Sequence, residues 1–294
     1  MSGAFVSLMY HNVVSDDPAA ARAEGSGLSR SITSYWVSAS DFSRHLETIS
    51  STTDILTSAD LQRFYTHDPE LAERTRQHPL VQLTFDDGWR GTVDIAGPLL
   101  AKRGLQALLF VTTGLIGAPR FLAAAELSSL PRETFHVGSH TVSHPFLNEL
   151  DDEQVADELR RSKDDLEDIV GYEVDSVSIP NGASDARVIR IAADCGYRFI
   201  HTSDVHRNTR GCGPLAIGRI AIRDTTTNAA IARYACGDLR NGQWRSRLLA
   251  LPKHILGPAR YRRLRESLLG QRHDENEMCD LFHASHARES TVLA

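Results

Sequence analysis

Leu83-Thr84-Phe85-Asp86-Asp87-Gly88 decides how this chain is read. The largely apolar run from Leu80 to Leu83 ends in two adjacent carboxylates and a glycine, which is how a buried strand delivers charge to the rim of a parallel sheet. Side by side, the two acids repel. A divalent cation is the simplest partner: one carboxylate binds it while the other stays basic enough to accept a proton from water. Downstream, Ser139-His140-Thr141-Val142-Ser143-His144 follows the short run from Phe135 to Gly138 and offers two imidazoles four residues apart. That spacing would align both rings on a helical turn, but Pro145 biases His144 away from helical angles, so both are expected in a tight loop at a strand end. One Asp with two His is a facial set suited to zinc, which lowers the pKa of a bound water to about 7 when a coordination position stays open.

Strands and helices alternate around these two stretches. Ala4 to Met9 reads as a first strand with Tyr10-His11 at its end, and Ala107 to Val111 as a strand buried on both faces. Val174 to Ile179, Tyr197 to Thr202 and Ala216 to Ile222 supply the later strands. Helices are expected after a cap at Ser40 (with Phe42, Leu46 and Ile49 inward), over Ser58 to Tyr65, and from Thr92 to Lys102 with Gly104 as stop. Asp151 with Gln154 reads as a capping box opening a long helix that Gly171 ends, and Ser184 starts another with Val188 and Ile191 on one face. Residues Ser15 to Ser34 lack periodicity and are expected to form a long loop, either over a site or as a surface excursion. About seven strands in alternation predict an α/β protein, a single deformed (β/α)7-type barrel over residues 1–238. In such barrels active residues gather at the C-terminal strand ends, and four ends here carry Tyr10-His11, Asp86-Asp87, His140 and Pro180-Asn181-Gly182.

At 294 residues, 41% hydrophobic and 24% charged, the chain can bury one such core. A net charge of −6 without a dominant basic face gives no footing for nucleic acid. The first residues lack the basic n-region and long apolar run of a signal peptide, and no stretch is long enough to span a bilayer; a cytoplasmic protein is expected. Cys195, Cys212, Cys236 and Cys279 lack C-x-x-C spacing and read as reduced thiols. Residues 239–294 change character. Arg240, Arg245, Arg247, Lys253, Arg260 and the arginines up to Arg272, interleaved with Trp244, Leu248 and Leu256, predict a basic helical extension. It would make peripheral contact with an anionic membrane or pack its helices on the barrel.

Together, Thr84-Phe85-Asp86-Asp87-Gly88 and His140-Thr141-Val142-Ser143-His144 resemble the first two signatures of the polysaccharide deacetylases, the NodB-homology family also called carbohydrate esterase family four. Tyr10-His11-Asn12-Val13 resembles the opening of the branch that deacetylates the exopolysaccharide poly-N-acetylglucosamine. The resemblance, from Phe5 to Ile222, implies Asp87, His140 and His144 as ligands of a divalent metal, zinc first with cobalt, nickel or manganese as alternatives, and Asp86 as general base. It also implies a substrate-binding role for Tyr10, Pro180, Asn181 and Gly182, the Asn181 backbone N–H serving as an oxyanion donor. Two departures stand out. Ser178-Ile179-Pro180-Asn181-Gly182 lacks the Arg that orients the catalytic Asp in the family, leaving Arg90 and Arg187 as candidates, although the exopolysaccharide branch commonly lacks it too. The family's late His motif is not recognisable, so His11 is the candidate general acid, with His201 and His206 behind it.

The implied activity is removal of N-acetyl groups from N-acetylhexosamine units of a polysaccharide, an oligosaccharide or a lipid- or nucleotide-linked precursor. A glycan-binding protein of the same fold without chemistry, or a deacylase of a small amide, are the alternatives; chelator-sensitive acetate release separates them.

Overall fold

Short runs of branched and aromatic side chains, buried on both faces, pair into a curled sheet of seven parallel strands that makes a deformed barrel. The computed structural model describes residues 3–77, 79–240, 277–278 and 280–283. In chain order the strands are β1 (Ala4–Tyr10), β2 (Asn12–Val14), β3 (Trp36–Ser38), β4 (Leu80–Phe85), β5 (Ala107–Val111), β6 (Phe135–Ser139), β7 (Ser176–Ser178), β8 (Phe199–His201), β9 (Asn208–Thr209) and β10 (Arg219–Ala221). The main sheet runs β10-β1-β4-β5-β6-β7-β8, and its two ends meet through a parallel bridge between His201 and Ile217. β9 adds antiparallel to the start of β1, while β2 and β3 form a separate parallel pair.

Register fixes the level at which each strand ends. Tyr10 pairs with Phe85 and Val111 with Ser139, so the residues that follow, His11, Asp86 and His140, leave the sheet along one rim.

The helices are α1 (Pro18–Glu24), α2 (Arg30–Thr33), α3 (Ala39–Ser50), α4 (Ser58–Tyr65), α5 (Pro69–Gln77), α6 (Gly97–Ala101), α7 (Ala124–Ser128), α8 (Asp152–Val170), α9 (Ala186–Asp194) and α10 (Asn228–Ala235). Asp151 accepts from the Gln154 N–H while Gln154 accepts from the Asp151 N–H, and Gly171 takes the left-handed φ of 69° that ends α8. Val155, Leu159 and Leu166 on its buried face join Phe42 and Leu46 of α3 and strand residues such as Leu83, Leu109 and Val137 in one core. Each such side chain contributes about 1.5–3 kcal/mol on burial.

Several local expectations shift. The stretch from Ser15 to Ser34 holds two short helices, because Asp17 accepts from the Ala19 N–H ahead of Pro18, and Ser29 caps α2 in the same way. Ser38, not Ser40, caps α3, and Asp185 rather than Ser184 caps α9. Helix α5 was not anticipated, and the segment after Gly91 opens with a π-helical turn, Thr92–Ala96, before α6. Of the basic extension over 239–294, the run from Arg245 to Arg272 lies outside the described residues, as does Cys279. Cys195, Cys212 and Cys236 are free thiols. Among the described residues no helix is long and apolar enough to cross a membrane.

Gly138 lies where β6 leaves no room for a side chain: a Cβ there would stand 2.7 Å from the Phe110 ring and 3.0 Å from the Ser176 carbonyl oxygen. The backbone oxygen cannot swing aside. Gly138→Ala is therefore expected to cost about 1–3 kcal/mol by overpacking, read as a lower urea midpoint at unchanged slope.

Candidate metal centre

Asp86 continues the ladder one step beyond β4, its N–H donating to the Tyr10 carbonyl at 3.0 Å. Its carboxylate is buried, and a buried charge is tolerated only when paired. Arg219 of β10 supplies the pair in bidentate form, Nη1 to Oδ1 at 2.6 Å and Nη2 to Oδ2 at 2.9 Å. The Ser178 hydroxyl donates to Asp86 Oδ2 at 3.1 Å while accepting from Arg219 Nη2 at 2.7 Å. Arg219 is itself held, Nε donating to the Thr202 carbonyl at 3.1 Å and the guanidinium lying over the Phe110 ring. Burial alone would raise the Asp86 pKa, but the charges of Arg219 and His140 outweigh it and hold the carboxyl below its ordinary value.

Extended backbone would send Asp87 to the opposite face from Asp86. A φ of +79° at Asp87, followed by +88° at Gly88, breaks the extension. His140 Nε2 then lies 3.4 Å from Asp87 Oδ1 and 3.8 Å from Asp86 Oδ2. The other Asp87 oxygen, Oδ2, accepts from the buried Trp89 indole N–H at 2.8 Å, whereas Oδ1 is buried without a hydrogen-bond partner.

The imidazoles come from the loop after β6. His140 Nδ1 stands 2.8 Å from the Ser178 carbonyl, which can only accept; Nδ1 therefore carries a proton, and Nε2 is the nitrogen turned toward Asp87. Burial would lower the His140 pKa, but the charges of Asp86 and Asp87 outweigh it and raise it. His144 follows at φ +60°, with Nε2 3.6 Å from the same Asp87 Oδ1. Glu158 of α8 holds this loop by accepting from the N–H groups of Val142 and Ser143 and from the Ser143 hydroxyl. On the other side, Thr113 and Gly114 donate their N–H groups to the carbonyls of Thr141 and Val142. Burial first, and then His140, push the His144 pKa down to about 4, so its ring is neutral, as a metal ligand must be.

Asp87, His140 and His144 thus present one ligand atom each within 4.8 Å of one another. Atoms bound tetrahedrally at about 2.0–2.2 Å from one ion stand roughly 3.3–3.6 Å apart. The separations of 3.4 and 3.6 Å match that spacing and are too long for strong hydrogen bonds. With Asp87 Oδ1 otherwise unpartnered, the donor set fits a divalent ion.

The remaining sequence candidates divide. His11 stacks on Tyr35 at 4.5 Å, and its buried Nδ1 has no hydrogen-bond partner. Burial lowers its pKa against the pull of the Asp87 and Asp86 charges, which reach it across the rim. Asn181, exposed at φ +56°, and Gly182 sit in the turn after β7, and Pro180 is buried beneath them. Tyr10 does not face the rim. Strand alternation turns it away from the centre, fully buried against Phe42 and Phe85 with its hydroxyl on His45, so it cannot bind substrate. Arg90 pairs with Glu126 and Arg187 with Asp152; neither takes the orienting role, which Arg219 fills. His201 is sealed in the barrel against Gln82, its pKa driven down to about 3 by burial and then by Arg219. His206 packs against Gly218. Arg219 has no motif around it in sequence; the signal that marks it is an arginine inside the apolar run Ile217 to Ile222, a buried charge that requires a partner.

Comparison with known proteins bears on this geometry. The family model described as Polysaccharide deacetylase matches residues 73–200, a span that includes Asp86, Asp87, His140 and His144. "Putative polysaccharide deacetylase YxkH" of Bacillus subtilis (strain 168) is 25% identical over 179 residues, 61% of this chain and 62% of that protein. The chain thus spans less than two thirds of that relative's length and about half, 49%, of a second one. Among solved structures, the Streptococcus pyogenes deacetylase PplD in complex with acetate aligns at TM-score 0.67 and 21% identity, over 80% of this chain and 99% of that one. IcaB from Ammonifex degensii aligns at TM-score 0.66 and 21% identity, over 80% and 97%. At these identities the two structures establish the shared fold.

Removing Arg219 would strand a buried carboxylate. Arg219→Met is expected to cost about 3–5 kcal/mol at pH 7 in urea unfolding. Because the folded-state pKa of Asp86 is depressed, the pair's contribution is present above the unfolded value of about 3.9 and is lost as pH falls through the folded one. The gap between variant and wild type should therefore close in acid.

Proposed function

We propose, from the match of residues 73–200 to the polysaccharide deacetylase family model, that the chain is a metal-dependent hydrolase that removes N-acetyl groups from N-acetylhexosamine units of a polysaccharide, an oligosaccharide or a lipid- or nucleotide-linked precursor. The observation that carries this reading is the meeting, on one rim of the sheet, of an arginine-held buried carboxylate with an Asp-His-His set at ligand separations.

Asp87 Oδ1, His140 Nε2 and His144 Nε2 would hold the cation, and zinc suits two imidazoles and a carboxylate best. A bound divalent ion supplies Lewis acidity toward the acetamide carbonyl and lowers the pKa of water at the site. Asp86 is kept ionised by Arg219 and faces His140 through Oδ2, which suits it to take the proton of the water that attacks the carbonyl carbon. The turn at Asn181 and Gly182 follows the C-terminal end of β7, and we assign it to line the sugar. His11, next to Tyr35 on the same rim, is the group we assign to protonate the departing amine, without which amide cleavage stalls. Water and amide then give acetate and free amine.

Acetate release from N-acetylglucosamine oligomers should be abolished by chelator and restored by zinc. Asp86→Asn is expected to lower that rate about 10²–10⁴-fold while zinc binding persists, whereas His140→Ala should lose the zinc itself. A normal rate in Asp86→Asn would remove it as the base, and full activity in His11→Ala would move the acid elsewhere.

A further inference from the structure

The last described residues of the chain pack against the wall behind Asp87. Met278 is only 7% exposed and shares an apolar cluster with Trp36, Trp89, Leu115 and Phe121, with Leu281 and Phe282 against it. Trp89 is the residue whose indole N–H holds Asp87 Oδ2, and its ring is wedged between Trp36 at 5.2 Å and Phe121 at 4.3 Å. Phe282 lies directly on Gly114, where a Cβ would stand 2.2 Å from the phenyl ring. The Gly114 N–H in turn donates to the Val142 carbonyl, between His140 and His144, at 2.9 Å. Glu277 fastens the segment by accepting from the Ser29 N–H at 2.8 Å and the Ser31 hydroxyl at 3.3 Å, at the start of α2.

One short segment therefore touches the support of Asp87 and the support of the histidine loop, far from both in sequence. We infer that Met278 and Phe282 are positioning residues for the metal centre: the C-terminal segment buttresses Trp89 and Gly114, so that Asp87, His140 and His144 face one ion before it binds. The inference rests on the metal reading above. Its physical basis is preorganisation, since a ligand free to turn must be ordered by the ion at the expense of affinity.

The test uses the full chain with Met278→Ala, Phe282→Ala, their combination and the conservative Met278→Leu. Zinc Kd is measured by competition with a chromogenic chelator, cobalt(II) absorption is recorded, and Tm is taken without metal. Each alanine variant should bind zinc on the order of tenfold more weakly, the effect expected for supports behind metal ligands, with an altered cobalt spectrum. Met278→Leu should restore both. Alanine variants that keep the wild-type Kd and cobalt spectrum overturn the inference, even if their Tm falls, because the segment would then only add stability. Should the combined variant fail to fold, the single variants decide. A wild-type chain that binds no zinc overturns the metal reading itself, which separates the two failures.

Discussion

Two carboxylates on consecutive residues, both removed from water, are the constraint on which this protein turns. Left alone, each would protonate or unfold its surroundings, and their proximity makes the problem worse. The chain resolves it asymmetrically. Asp86 is closed off by Arg219 and Ser178, which donate three hydrogen bonds to its two oxygens. Asp87 keeps one oxygen on Trp89 and leaves the other facing two imidazoles, without a hydrogen bond. One acid has its countercharge built in; the other keeps an oxygen open between two imidazoles, at the separations a bound cation would require.

That asymmetry is maintained by strained backbone and by supports from distant segments. Among the described residues, the non-glycine positions at positive φ include Asp87, Thr141, His144 and Asn181, all on the rim that carries the centre. Each costs of order 1–2 kcal/mol and persists only where neighbours over-determine it. The neighbours are identifiable: Glu158 reaches the histidine loop from α8, Thr113 and Gly114 from the segment after β5, and Ser178 fixes the tautomer of His140 through its carbonyl and the orientation of Asp86 through its hydroxyl. Ser178, which stands where the resembled family usually has arginine, is thus a junction between Asp86 and the Asp-His-His set, while the guanidinium arrives from β10 instead.

The barrel was legible because its strands are continuous apolar runs punctuated by caps and glycines, and because charge placed at the end of a buried strand is costly unless a site there uses it. Asp86, Asp87, His140 and His144 announced themselves in that way. Tyr10 misled because proximity in sequence to His11 says nothing about which face a strand residue takes, and a register flip of one position separates rim from core. Arg219 escaped because its partner lies 133 residues away, a pairing that only the sheet order reveals. The same holds for Met278 and Phe282: nothing local in their sequence marks them as neighbours of Trp89 and Gly114. Short helices such as α1 and α2 are masked by weak periodicity, their local signals being the caps at Asp17 and Ser29 and the proline that opens α1.

Whether three side chains distant along the chain meet around one ion can be read from anomalous diffraction by a crystal of the protein grown with zinc. A single strong peak is expected at the zinc edge, about 2.0–2.2 Å from Asp87 Oδ1, His140 Nε2 and His144 Nε2. A map with no peak among these atoms, or with the ion held elsewhere while the two imidazoles turn away from Asp87, would refute the metal centre.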